Sequence, residues 1–114
     1  MTKALIATGV LGLVIVAGGR ISAAATGDPV KGKAAFEDSC GVCHNVDSEE
    51  KGEKMGPGLK GLFKRAKMKN GKAPTEANVR AVINAGGNGM PAFSDMLSDD
   101  ERNHVIAYLK TLHD

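Results

Sequence analysis

Cys40-Gly41-Val42-Cys43-His44 is the stretch on which the reading of this chain turns. It holds both cysteines of the 114-residue sequence and sets a histidine directly after the second. Two thiols separated by two residues match the two vinyl groups along one edge of a haem, and the adjoining imidazole reaches the iron from one face. The string therefore predicts one covalent haem c, joined through thioethers to Cys40 and Cys43, with His44 on the iron. Two rivals use the same residues. A thioredoxin-like redox pair needs strands alternating with helices around it; no strand pattern is visible, and His44 would have no role. A zinc site needs a fourth donor, and His104 and His113 stand at no familiar ligand spacing from the other three.

Upstream, Lys3 precedes an apolar run over residues 4–19, followed by Arg20, Ile21 and the small residues Ser22, Ala23, Ala24 and Ala25. That order of basic, apolar and small residues predicts a cleavable export signal over residues 1–25 and a domain over residues 26–114. A retained membrane anchor is the alternative. It is disfavoured because a sixteen-residue helix reaches about 24 Å, short of the roughly 30 Å hydrocarbon core. The protein is thus expected outside the cytoplasm, in a periplasm or equivalent compartment, and at a membrane only if the N-terminal segment is uncleaved. Two cysteines in an oxidising compartment must be consumed somehow, and thioether formation consumes both.

Without the signal, thirteen basic residues face thirteen acidic ones, a balance that argues against a nucleic-acid partner. A domain of this size has a small core, and its aromatic residues are Phe36, Phe63, Phe93 and Tyr108 alone. A large apolar cofactor would fill what the side chains do not.

Helix signals are local and clear. Asp28-Pro29 opens a helix expected over about residues 29–40, with a capping carboxylate and a proline where its missing N–H costs nothing. Gly32 and Phe36 fall on one face of it, and the glycine suggests a place where another helix comes close. Residues 45–74 are rich in Gly and Pro and read as loop, with a short helix near residues 59–66. Thr75 caps the next helix, which carries Val79, Val82 and Ile83 and ends at Gly86-Gly87. Ser98 and Glu101 form a capping box for the last helix, whose Val105, Tyr108, Leu109 and Leu112 recur at core spacing. His104 and His113 on that helix read as solvent-facing. The architecture expected is all-α, three to four short helices joined by long loops that wrap a cofactor.

The strings Gly-Lys-Ala-Ala-Phe at 32–36, Cys-Gly-Val-Cys-His at 40–44, Gly-Pro-Gly-Leu-Lys-Gly-Leu-Phe at 56–63, Gly-Met-Pro-Ala-Phe at 89–93 and Val-Ile-Ala-Tyr-Leu-Lys at 105–110 occur in that order. Together they resemble the class I cytochromes c, from about residue 28 to residue 112. The resemblance implies the cytochrome c fold, with the first and last helices crossing beside the haem, so that Gly32 and Phe36 would meet Val105 and Tyr108. It implies that the Pro57 carbonyl supports His44, and that Met90 is the second axial ligand. Met90 also stands on a glycine-rich loop and is followed by Pro91. A thioether is a soft neutral donor that favours ferrous iron. Met96 is the second choice, while Met55 and Met68 read as packing or surface residues.

Residues 51–72 hold Lys51, Lys54, Lys60, Lys64, Arg65, Lys67, Lys69 and Lys72 against the single acid Glu53, whereas residues 95–101 hold four acids and no base. Such a dipole can steer the domain towards an acidic redox partner. The function expected is electron transfer, iron cycling between Fe(III) and Fe(II) as single electrons pass between respiratory or periplasmic enzymes, with no substrate transformed. A cytochrome subunit of a larger oxidoreductase is the alternative. A haem peroxidase or gas sensor would need an open sixth position with an acid or base beside it, and residues 86–94 contain no carboxylate or histidine.

Overall fold

The computed structural model of the protein describes residues 27–113. The export signal expected over residues 1–25 lies outside them. Three α-helices form among the described residues, α1 at Pro29–Ser39, α2 at Glu76–Ala85 and α3 at Asp99–Leu109, with a short 3-10 turn at Leu62–Lys64. The only β pairing among them is an isolated bridge between Gly87 and Met90.

Each helix begins where a side chain can satisfy the free amides of a first turn. Asp28 Oδ1 accepts from the amides of Val30 (2.8 Å) and Lys31 (3.4 Å). Thr75 Oγ1 accepts from Asn78 N at 3.1 Å. At α3 the capping box is complete: Glu101 N donates to Ser98 Oγ at 3.1 Å, and Ser98 N donates to Glu101 Oε2 at 2.8 Å. α2 stops at Gly86, whose φ of 64° lies in the left-handed region. The helix expected near residues 59–66 is only the 3-10 turn. Gly61 takes a left-handed φ of 67°, which prevents a helix from running through it, and its amide donates to the Leu112 carbonyl at 2.5 Å. The loop is thereby tied to the C-terminal end of the fold.

The core consists of Phe36, Leu62, Val79, Ile83, Phe93, Val105, Ile106, Tyr108 and Leu109. Val105 and Ile106 are the most deeply buried, because α3 is covered by α1 on one side and α2 on another. The expected crossing of α1 and α3 is present: the rings of Phe36 and Tyr108 lie 5.4 Å apart at 58°, a tilted aromatic pair. A Cβ on Gly32 would overlap the His104 carbonyl oxygen and approach Tyr108 Cβ to 2.9 Å. Gly32→Ala must therefore push two helix backbones apart. We expect a loss of about 3 kcal/mol and a melting temperature lower by roughly 15 °C, readable by thermal denaturation followed by circular dichroism.

His104 differs from its expected solvent-facing place. It is half-buried, and its Nδ1 accepts a hydrogen bond from Asp28 N at 2.8 Å. The reason lies in the same crossing: α1 enters so close to α3 that a Cβ on Gly27 would overlap the Asn103 carbonyl, which brings the Asp28 amide to the imidazole. His113 is exposed, as expected. α2 is fastened to α3 by polar contacts. Arg102, almost fully buried, donates to Asn84 Oδ1 at 2.8 Å and pairs with Asp99. Lys110 Nζ donates to Glu76 Oε2 at 2.6 Å while lying 5.9 Å from the centre of the Phe63 ring, and this bond holds the Glu76 carboxyl below its usual range.

Candidate functional site

α1 delivers the cysteine turn. After Ser39 the helix closes with Cys40 N and Gly41 N both donating to the Phe36 carbonyl, at 2.7 and 2.8 Å. Cys43 N and His44 N then both donate to the Cys40 carbonyl at 3.0 Å, folding Cys40, Cys43 and His44 into one tight turn. Both cysteines are unbonded and half-buried. Burial, with the neighbouring Cys43 adding to it, pushes the Cys40 thiol up to about 11. A redox-active Cys-x-x-Cys pair runs on a thiolate made by a lowered pKa, so this environment opposes thioredoxin-like chemistry. Nor is a zinc site built here: among the described residues no three or more His, Cys, Asp or Glu side chains converge as metal donors, and His104 is engaged with Asp28.

The His44 ring is fixed by a second segment. Its Nδ1 lies 2.8 Å from the Pro57 carbonyl oxygen. A carbonyl can only accept, so Nδ1 carries the proton and donates, which leaves Nε2 with the ring's free lone pair. Gly56 lets this segment lie flat against the ring: a Cβ there would come within 2.6 Å of His44 Cε1, and the Gly56 amide donates to the Cys43 carbonyl at 2.7 Å. The structure thus brings Cys40, Cys43, His44 and Pro57 into one unit.

Met90 arrives on a separate device. Gly87 N donates to Met90 O at 2.9 Å and Met90 N donates to Gly87 O at 3.0 Å, closing a two-residue turn in which Asn88 and Gly89 take φ of 52° and 91°. These values suit a type I′ turn, for which Asn-Gly is the preferred pair. The turn is anchored to the end of α2 by Phe93 N donating to Ile83 O at 2.9 Å. Met90 is half-buried against the core, as is Met68, whereas Met96 is 62% and Met55 76% exposed. Exposure at that level speaks against Met96, the second choice of ligand.

Whether these residues suit a haem can be judged on their own chemistry. Cys40, Val46, Leu59, Met68, Met90 and Leu97 pack on the core yet stay incompletely covered, apolar surface of the kind that a flat apolar group would cover. Arg65 supplies the polar complement. Its Nη2 donates to the carbonyls of Gly58 (2.8 Å) and Lys60 (2.7 Å), while its buried Nε has no hydrogen-bond partner. A buried unpaired donor is costly, and a carboxylate of the kind haem carries would satisfy it. Arg65 and Lys54 are the site residues that sequence reading missed, since both were counted as surface charge. Lys54 Nζ instead donates to the carbonyls of Gly41 and His44.

An all-α shell folded around an unpaired Cys-x-x-Cys-His turn, with its imidazole tethered and a methionine presented on a tight turn, defines a protein of the haem c class. The family described as cytochrome c oxidase, cbb3-type, subunit III matches residues 27–109. Cytochrome c6 of Diacronema lutheri is 34% identical over 84 residues, covering 73% of this chain and 94% of that protein. Cytochrome c6 of Leptolyngbya boryana is 38% identical over 82 residues, covering 72% and 89%. Among solved structures, cytochrome c6 from the diatom Phaeodactylum tricornutum superposes with a TM-score of 0.58 at 28% identity, over 73% of this chain and 91% of that one. The chain belongs to the cytochrome c family, as a class I monohaem c-type cytochrome that transfers electrons through one covalently bound haem c.

Proposed function

We propose that this chain is a mobile carrier of single electrons whose haem is joined to Cys40 and Cys43 and held at the iron by His44 and Met90. The observation that carries the reading is the 2.8 Å bond from His44 Nδ1 to the Pro57 carbonyl within the same turn as both thiols. It commits Nε2 to be the donor and raises its basicity. When bound, the haem supplies an iron that accepts and releases one electron at neutral pH. The residues do the rest. Cys40 and Cys43 would hold the haem through thioethers, Pro57 keeps the imidazole from turning, and the Gly87–Met90 turn would offer a neutral sulfur that favours the ferrous state. The apolar surface excludes water, and Arg65 Nε is available to a haem carboxylate.

Residues 86–94 offer no acid or base for substrate chemistry, which supports a carrier that transforms nothing. The family description favours a second reading, a cytochrome subunit of a larger oxidoreductase. The carrier reading is preferred because the matches cover 94% and 89% of two relatives named simply as cytochrome c6. Among the described residues no helix is long and apolar enough to cross a membrane. The basic, apolar and small residues of positions 1–25 support cleavage and release into a periplasm or comparable compartment.

Redox protein partners are proposed to dock through the basic loop. Lys51, Lys64, Lys67, Lys69 and Lys72 are exposed, and Lys67 and Lys69 rim open clefts beside Arg65 and Pro57. Lys54 and Arg65 are turned inwards and leave the patch. Electron transfer to an acidic redox protein should slow about tenfold between 0.01 and 0.3 M salt. Stopped-flow measurement on Lys67→Gln/Lys69→Gln should find that slope clearly reduced. A wild-type rate indifferent to salt would remove the loop as the steering surface.

A further inference from the structure

We propose that Lys54 is a positioning residue of the haem site, its ammonium clamping the carbonyls of Gly41 and His44 and placing a fixed positive charge on the turn that carries the iron's imidazole ligand. The proposal rests on the reading of His44 as that ligand. Lys54 Nζ donates to Gly41 O at 2.6 Å and to His44 O at 3.3 Å, and its side chain is half-buried while Lys51, Lys67 and Lys69 are exposed. The amides that close the turn are directed elsewhere. Cys43 N and His44 N are both spent on the Cys40 carbonyl, and Gly56 N serves Cys43.

Three neighbouring residues therefore hold the turn at successive points. Lys54 grips its first and last carbonyls beyond Cys40, Gly56 grips the middle, and Pro57 grips the ring. An ammonium suits this task because it brings several donors on one flexible stem, and charge strengthens each bond. Held in place, the same charge opposes the additional positive charge of ferric iron and so favours the ferrous state. For one partly screened charge that effect is about a few-fold to tenfold in the redox equilibrium.

The test compares reduction potentials and the NMR resonance of the His44 Nδ1 proton in the haem-loaded ferrous protein for Lys54→Met, Lys54→Arg and the neighbouring control Lys51→Met. Lys54→Met should shift the ferric–ferrous equilibrium towards ferric by about three- to tenfold and move the imidazole resonance. Lys54→Arg, which keeps charge and donors, should restore both to within about twofold and to near the native position, and Lys51→Met should change neither. Failure of Lys54→Met to acquire covalent haem, with Lys54→Arg and Lys51→Met still loaded, also supports the clamp. A loaded Lys54→Met protein indistinguishable from Lys51→Met in both readouts overturns it and leaves the site reading intact. A wild-type protein whose haem iron is not held by His44 overturns both.

Discussion

Cys40→Ala/Cys43→Ala is expected to yield a chain from which all haem is lost on denaturation in acidified organic solvent, where the wild-type protein keeps its haem and gains the corresponding mass. Thioethers survive unfolding, whereas axial coordination does not, so the assay separates covalent attachment from mere binding. The double variant should also be the least stable of the series. Val46, Leu59, Met68, Met90 and Leu97 pack on the core but leave apolar surface incompletely covered. Exposing it without the haem forfeits roughly 25 cal/mol for each Å² of apolar surface left in water. In a domain whose total stability is of the order of 5–15 kcal/mol, that loss turns a cooperative thermal transition into a broad one. Absorbance of the denatured protein together with intact mass checks the first outcome, and calorimetry the second. Retention of acid-stable haem by the double variant would place the attachment elsewhere.

Met90→Ala is expected to have the second large effect, acting through the proposed iron ligand rather than on the fold. The turn that presents Met90 is closed by its own backbone hydrogen bonds and anchored by Phe93 to α2, so the side chain can be shortened without moving the loop. Removing the sulfur withdraws a donor that favours ferrous iron. Axial ligands span about 0.8 V in haem proteins, and loss of this one should lower the potential by on the order of 0.1–0.2 V. At 59 mV per decade for a single electron, that is roughly fifty- to two-thousandfold in the redox equilibrium. The weak far-red ferric band characteristic of sulfur on haem iron should vanish with it. An unchanged band and potential would return the ligand question to Met68, which is half-buried, rather than to Met96, which is exposed.

The helices were legible in the sequence because their boundaries are set locally. Asp28, Thr75 and Ser98 each cap the helix they precede, and Gly86 stops the second. The crossing of α1 and α3 could be anticipated from Gly32 and Phe36, since a glycine on a helix face has meaning where a backbone must pass. The Asn88-Gly89 pair also carried a readable signal, the preference for a type I′ turn, beyond the loop expected there. What stayed hidden depends on distant parts of the chain. Ile106 is among the most buried residues, yet it lies off the stripe of Val105, Tyr108 and Leu109. A single stripe describes a helix with one covered side, and α3 has two.

The charged residues show the same limit at the site. Lys54 and Arg65 belong to a run of eight basic residues over residues 51–72 that composition alone treats as one solvated surface. In the folded chain, the loop curls so that these two side chains meet backbone carbonyls. Where those carbonyls lie is a property of the loop's path, and nothing in residue type announces it. His104 is a third case: its imidazole is used because α1 begins beside it, at Asp28.

The central claim is an iron closed on both faces by His44 and Met90 and therefore suited to passing electrons and nothing else. Exposure of the reduced wild-type protein to carbon monoxide tests this most directly. The account predicts a ferrous spectrum unchanged by the gas, in a protein whose ferric form displays the far-red sulfur band. Rapid formation of a carbon monoxide complex at neutral pH in the folded protein would contradict it, because it would mean that the sixth position is open.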